Sequence, residues 1–280
     1  TSITQLTVKY SENMISFNNI GNLGRLANQM FQYASLKGIA RKHGYDFSIP
    51  PEEVFGQQDL LVRRDKLNIY NVFESISNNN IQISKNEILA ERMHEFDREL
   101  FEKCPDNVDL YGYYQSPKYF EHIKDEIKKD FTFTKEIESV CDDMIDSINN
   151  GRKLIALHIR RTDYTVNPNH PVQSLEYYEL ALKHFHKNER VIVFSDDPDW
   201  CQEQKLFDND DIMISEGNDA DIDLCLMTKC NYHIIANSSF SWWGAWLGDS
   251  EQIIAPIKWF ANATADKSVH DMAFGRWIWL

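Results

Sequence analysis

Apolar and polar positions change rhythm along this chain. From residue 153 to 255, short apolar runs of strand length take turns with segments of helical period. Strands are predicted at 153–159, 190–194, 212–214, 232–236 and 252–255, and helices at 174–186, from Pro198 onward, at 221–230 and at 240–247. Strand and helix in strict turn predict a parallel sheet covered on both faces. The run Leu154-Ile155-Ala156-Leu157-His158-Ile159 is apolar but for one histidine, as a doubly covered central strand requires. It stops abruptly at Arg160-Arg161-Thr162-Asp163.

The first half reads less evenly. Met14 to Phe17 predicts a short strand, Gly21 to Arg25 a glycine loop, and Leu26 to His43 a helix with one apolar face, stopped by Gly44. Residues 45–49 and 108–114 read as further strands. Ser116-Pro117 supplies an N-cap and an N1 proline for a helix through Phe131, and a second helix aligns Ile137, Val140, Cys141, Met144, Ile145 and Ile148. Residues 52–105 show no clear period. Asn149-Asn150-Gly151 is read as a domain boundary, dividing the chain into 14–150, 151–265 and a final segment, 266–280, expected to pack back on the first domain.

Three predicted strands end in polar clusters: Arg160-Arg161-Thr162-Asp163, Ser195-Asp196-Asp197 and Asn237-Ser238-Ser239. In an open α/β sheet such ends share one edge, and ligands bind there. Two adjacent guanidiniums, planar and permanently charged, suit a diphosphate; the other reading of the pair is a structural ion pair with Asp163. Asp197 before Pro198 is explained as a helix cap, while Asp196 could accept from a ribose hydroxyl or a base edge. Ser238 and Ser239 open a helix whose free amides favour phosphate. His158 is either a satisfied core histidine or a ligand. The run Phe240 to Trp246 is either packing, the commoner case, or a sugar-stacking platform.

Composition sharpens this picture at a few points. The 280 residues suffice for two domains, and a formal charge of −14 argues against nucleic acid or an anionic membrane as partner. An anion must therefore be held locally, by groups such as the arginine pair. Five cysteines without CxxC spacing predict neither a zinc site nor a disulfide framework. No run approaches the roughly 18–20 apolar residues of a membrane span, and the opening residues lack a signal peptide's apolar core, so a soluble cytoplasmic protein is expected. Met14 is read as a natural start, with residues 1–13 as an extension.

Taken in order, four blocks resemble the α-1,2-fucosyltransferases of glycosyltransferase family 11. They are Gly24 to Tyr33, His158 to Asp163, Phe194 to Asp197, and Asn237 to Leu247, and the likeness runs from about Ile20 to Phe260. Each block alone is weak; their order is the specific signal. The resemblance implies an α/β fold of GT-B type, with two Rossmann-like domains whose parallel sheets face across a cleft. It implies GDP-β-L-fucose as donor and co-substrate, a galactose-terminated oligosaccharide as acceptor, transfer to the galactose 2-hydroxyl with inversion, and no metal or other cofactor. It also places the protein in the cytoplasm, or at the periphery of the membrane where glycan precursors are assembled.

By the same resemblance Arg160, Arg161, Asp163 and His158 form the catalytic group. Ser195, Asp196, Ser238, Ser239, Phe240, Gly24 and Asn28 join Arg160 in holding the donor, and Gln29, His170 and Trp242 meet the acceptor. Asp163 is the first candidate for the general base, with His170, Glu176 or a departing phosphate oxygen as alternatives. Two rival readings remain open. Asp197-Pro198-Asp199 and Asp208-Asn209-Asp210 have the DxD spacing of a metal-dependent GT-A transferase, and the chain could instead be a nucleotide-sugar or glycan binder without turnover.

Overall fold

A computed structural model describes residues 13–55, 67–76, 87–186, 188–261 and 269–280. The chain forms two units, Thr1–Thr132 and Phe133–Leu280. In the first, β1 (Met14–Ser16) pairs in parallel with β2 (Asp46–Ser48) and β4 (Val108–Tyr111). β3 (Glu87–Ala90) adds to β4, giving the order β2-β1-β4-β3.

Helix α1 (Leu26–His43) matches its predicted bounds and ends on Gly44 at φ 71°, the left-handed stop that glycine adopts without strain. One apolar face was expected, yet α1 is buried almost all round as far as Ala40. Its buried polar side chains are tied down accordingly. Ser35 Oγ donates to the Tyr114 carbonyl at 3.0 Å, and Lys37 Nζ meets Asp130 at 2.5 Å. Gly38 lets a turn approach, since a Cβ there would lie 2.0 Å from the Tyr119 carbonyl oxygen.

Among the described residues of the stretch without period lie only short elements, including α2 (Ile69–Val72), β3, and α3 (Arg98–Lys103), capped by Asp97. None is long enough to show a repeat. The helix expected after Ser116-Pro117 forms as two tight turns followed by α4 (Lys124–Asp130).

The second unit opens with α5 (Lys135–Asn149) and alternates β5 (Leu154–Ile159), α6 (Leu175–Leu182), β6 (Arg190–Ser195), α7 (Pro198–Gln202), β7 (Ile212–Ile214) and α8 (Ala220–Thr228). It continues through β8 (Tyr232–Ile234), α9 (Ser239–Leu247), β9 (Gln252–Ala255) and β10 (Trp277–Trp279). All six strands are parallel, in the order β10-β9-β8-β5-β6-β7. Counting from β5, this is the 3-2-1-4-5-6 order of dinucleotide-binding sheets, with its switch point between β5 and β8. Ile155, Leu157 and Ile159 pack with Tyr177, Tyr178 and Val193 in one core, and Trp242 and Trp243 of α9 are fully buried. All five cysteines are free and buried.

Two expectations about domains are corrected. The division falls at 132/133, because α5 packs on α8, with Lys229 Nζ 2.7 Å from both Glu138 and Asp142. Asn150 at φ 46° and Gly151 at φ 73° are a helix-to-strand reversal inside that unit, which uses the same residues as a linker would. The final segment extends the second sheet, with Trp277 paired to Ile253 and Trp279 to Ala255. Among the described residues no helix is long and apolar enough to cross a membrane.

Candidate active site

The carboxyl ends of β5, β6 and β8 converge as expected, and direct bonds join the three clusters. Asp196, just past β6, accepts the Arg161 amide on Oδ1 at 2.8 Å and the Thr162 amide on Oδ2 at 3.1 Å. Its Oδ2 also takes the Thr162 hydroxyl and sits 3.0 Å from Arg160 Nη1. Burial works to raise the Asp196 pKa, but the Arg160 cation, the Thr162 hydroxyl and the Arg161 amide outweigh it and hold the carboxyl below its usual value. The expected contact from Asp196 to ribose or guanine is therefore revised. Both oxygens bond to residues 160–162, Oδ1 to one amide and Oδ2 to an amide, a hydroxyl and the Arg160 guanidinium.

Arg160 is also held by Asp163, whose Oδ1 lies 2.5 Å from Nη2, and its guanidinium sits 5.5 Å from the Tyr164 ring centre. Arg161 takes a different neighbourhood. Its Nε donates to Asp197 Oδ2 at 3.1 Å and its guanidinium lies 3.9 Å from the Trp200 ring centre. Asp197 is at once this partner and the N-cap of α7. Both arginines are thus fixed in direction, with side chains mostly but not wholly buried, at 16% and 20% exposure. Charge placed this way needs little rearrangement to meet an anion.

Across the switch point, His158 Nδ1 lies 2.9 Å from Ser241 Oγ of α9, and the Tyr164 hydroxyl donates to the Asn237 carbonyl at 3.0 Å. Burial pushes the His158 pKa down to about 3, so the ring is neutral at physiological pH and stitches β5 to α9 as a core group. Ser238 caps α9 by accepting from the Phe240 amide, and Ser239 and Phe240 are half-buried beside it. Ser195 Oγ is turned inward and accepts the Asp197 amide at 3.0 Å.

The acceptor-side expectations fare differently. Trp242 is fully buried, its Nε1 donating to the Met272 carbonyl at 2.7 Å, so it is packing and meets no sugar. Gln29 has no exposed surface and accepts the Ile69 amide at 3.2 Å, so it too is a core group. His170 stacks on Tyr164 at 5.1 Å, one residue layer from Arg160, and Glu176 lies in the first turn of α6. Gly24, at φ 82°, and Asn28 belong to the first unit, where Asn28 Oδ1 accepts from Gln115 Nε2 at 2.7 Å.

Tyr164, Trp200 and Ser241 were missed by sequence reasoning. The first directly follows the Arg-Arg-Thr-Asp block and the second lies in the first turn after the Asp197 cap, so proximity was the available signal. Of the two DxD pairs, the first is engaged at the α7 cap and the second lies in an exposed turn. Among the described residues no three His, Cys, Asp or Glu side chains gather as a metal-binding group.

One carboxyl on this edge is pushed well above the usual carboxylate range. Beyond β7, Asp223 Oδ1 accepts the Ser215 hydroxyl at 2.7 Å, and burial pushes its pKa up to about 6. A folded pKa above the unfolded one favours the protonated fold. That contribution is complete below the ordinary carboxylate value and is lost as pH rises through 6. Asp223→Asn, neutral throughout, should melt close to wild type near pH 4 and a few degrees higher at pH 8. A melting difference that stays constant across that range would contradict the assignment.

Comparison with known proteins agrees with this geometry. The chain is 34% identical over 267 residues to an α-1,2-colitosyltransferase of Escherichia coli, covering 85% of this chain and 90% of that one. It is 28% identical over 272 residues to galactoside α-(1,2)-fucosyltransferase 2 of Sus scrofa, covering 90% and 76%. A crystal structure of NodZ α-1,6-fucosyltransferase soaked with GDP-fucose superposes with a TM-score of 0.56 at 15% identity, over 87% of this chain and 94% of that one. This likeness establishes the GT-B fold of two Rossmann-like units. The family model "Glycosyl transferase family 11" matches residues 1–280, and the chain belongs to that family.

Proposed function

We propose that this protein transfers L-fucose from GDP-β-L-fucose to the 2-hydroxyl of a terminal β-galactoside, with inversion and without a metal. The observation that carries the reading is the pair of oriented arginines at the β5 exit, beside the capped amino terminus of α9. As the sugar–phosphate bond breaks, the sugar becomes oxocarbenium-like and negative charge grows on the departing β-phosphate. Fixed guanidiniums stabilise that charge most in the transition state. Arg160 faces the diphosphate, Arg161 supports it from its stack on Trp200, and the Ser238–Phe240 turn offers amides and hydroxyls to phosphate oxygens.

Asp163, ion-paired with Arg160, serves to align the guanidinium, and the proton of the attacking 2-hydroxyl passes to an oxygen of the departing phosphate. The family's Escherichia coli relative favours a second donor, since it is a colitosyltransferase. Colitose is the 3-deoxy form of fucose, and arginine–phosphate chemistry is indifferent to that hydroxyl. Purified protein should convert GDP-fucose and lactose into a trisaccharide with an α-1,2 linkage, in the presence of excess chelator. Preference for GDP-colitose when both donors compete would transfer the assignment to the second reading, and GDP bound without any product would reduce the protein to a binder.

A further inference from the structure

Among the described residues the exposed large apolar side chains include two aromatics, Tyr111 at 44% and Tyr113 at 40%, on either side of Gly112. Tyr111 ends β4, paired with Ala90 along the sheet, whereas Tyr113 stands beyond the strand end. The first sheet has its own switch point there. From β1 the chain goes to β2 on one side, while β4 returns to the other, so the loops after β1 and β4 diverge from adjacent strand ends. Ligand crevices of open parallel sheets form at such points.

The backbone around Tyr113 is held from several directions. Glu91 accepts the Tyr113 amide on Oε2 at 2.8 Å and the Tyr114 amide on Oε1 at 2.9 Å. Gln32 Nε2 donates to the Gly112 carbonyl at 3.0 Å and Ser35 Oγ to the Tyr114 carbonyl at 3.0 Å. Gly112 sits at φ 148°, and Tyr114 takes φ 52° with its ring fully buried. Left-handed backbone at a tyrosine is costly and persists where the surroundings enforce it. Here it directs one ring inward and leaves its neighbour outward. Two residues on, Gln115 donates to Asn28, whose side chain packs on Gly24 so closely that a Cβ there would lie 2.2 Å from it. Tyr113 is thus continuous with the glycine loop.

We propose that Tyr113 is the stacking platform for the galactose ring of the acceptor; this rests on the transferase reading above. The axial 4-hydroxyl of galactose leaves the hydrogens of C3, C4 and C5 on one face, an apolar patch that a tyrosine ring covers, while the phenol tip stays in water. A ring carried on backbone already held in place binds with less ordering cost.

The test compares wild type, Tyr113→Ala and Tyr113→Trp with lactose. Saturation-transfer NMR in the presence of GDP should show lactose signals that vanish with the alanine variant and persist with the tryptophan variant. The KM for lactose should rise about tenfold in the former and return to within about threefold in the latter. GDP affinity, acceptor-independent release of GDP from GDP-fucose, and Tm should stay unchanged. Lactose binding by Tyr113→Ala equal to wild type overturns the platform and leaves the transferase standing. Loss of binding with a lowered Tm and no recovery by tryptophan also overturns it, as does a wild-type protein that binds no galactoside. Tyr113-dependent lactose binding without fucose transfer keeps the platform and removes the donor reading instead.

Discussion

Replacing Arg160 by alanine should lower the proposed fucosyl transfer about a thousandfold and leave the fold in place. The size follows from the job: removing one preorganised charge from a water-poor site typically costs about 10²–10³ in rate, and arginines on phosphoryl groups reach about 10³–10⁵. The survival of the fold follows from what remains. Without Arg160, Asp196 still accepts the Arg161 and Thr162 amides and the Thr162 hydroxyl, and Asp163, with a side chain 44% exposed, turns to water. Arg160→Lys discriminates charge from shape. A lysine keeps the cation but lacks the planar fork that meets Asp163, Asp196 and an incoming phosphate together, so it should recover less than about tenfold of the loss. Steady-state kinetics with GDP-fucose and lactose, alongside thermal melts, provides the measurement. Near-normal turnover in the alanine variant would move the diphosphate away from β5.

The legibility of this site from sequence was uneven for physical reasons. β5 could be read because burial on both faces demands an uninterrupted apolar run, and its charged exit then stands out. α1 could be read to the residue because glycine marks its stop. The three polar clusters could be placed on one edge because alternation of strand and helix forces parallel strands. What a loop carboxylate does there is not written in its identity. Asp196 looked like a reader of ribose or base, and only its position relative to the 160–162 backbone shows it engaged elsewhere. Gln29 and Trp242 failed similarly, since a polar residue or an indole can face inward when tertiary structure supplies a partner, here the Ile69 amide and the Met272 carbonyl. The allegiance of α5 was hidden because an amphipathic face does not say which unit covers it. β10 went unread because Trp277-Ile278-Trp279 stands beyond the strand–helix alternation of 153–255 that marked equally short strands such as β7.

The role of Asp196 carries the second large effect. If it positions the arginine loop, Asp196→Ala removes the acceptor of two amides and a hydroxyl and one of the two carboxylates that hold Arg160, and the 160–165 turn is left tied to the end of β6 through Arg161 and Asp197. Transfer should then fall by about a hundredfold or more, mainly in kcat, because the guanidiniums no longer stand ready when charge develops. Asp196→Asn keeps the shape and one acceptor oxygen but loses the ion pair to Arg160 and leaves an amide donor against the Thr162 amide. It should recover only part of the rate. Neither variant should change how strongly GDP is preferred over ADP or UDP, since in this role the carboxylate does not touch the base. A carboxylate that touched guanine or ribose would behave in the opposite way, with base discrimination collapsing and kcat on saturating GDP-fucose largely kept. Nucleotide competition measured beside kcat separates the two outcomes, and collapse of base discrimination would return Asp196 to the donor's nucleoside.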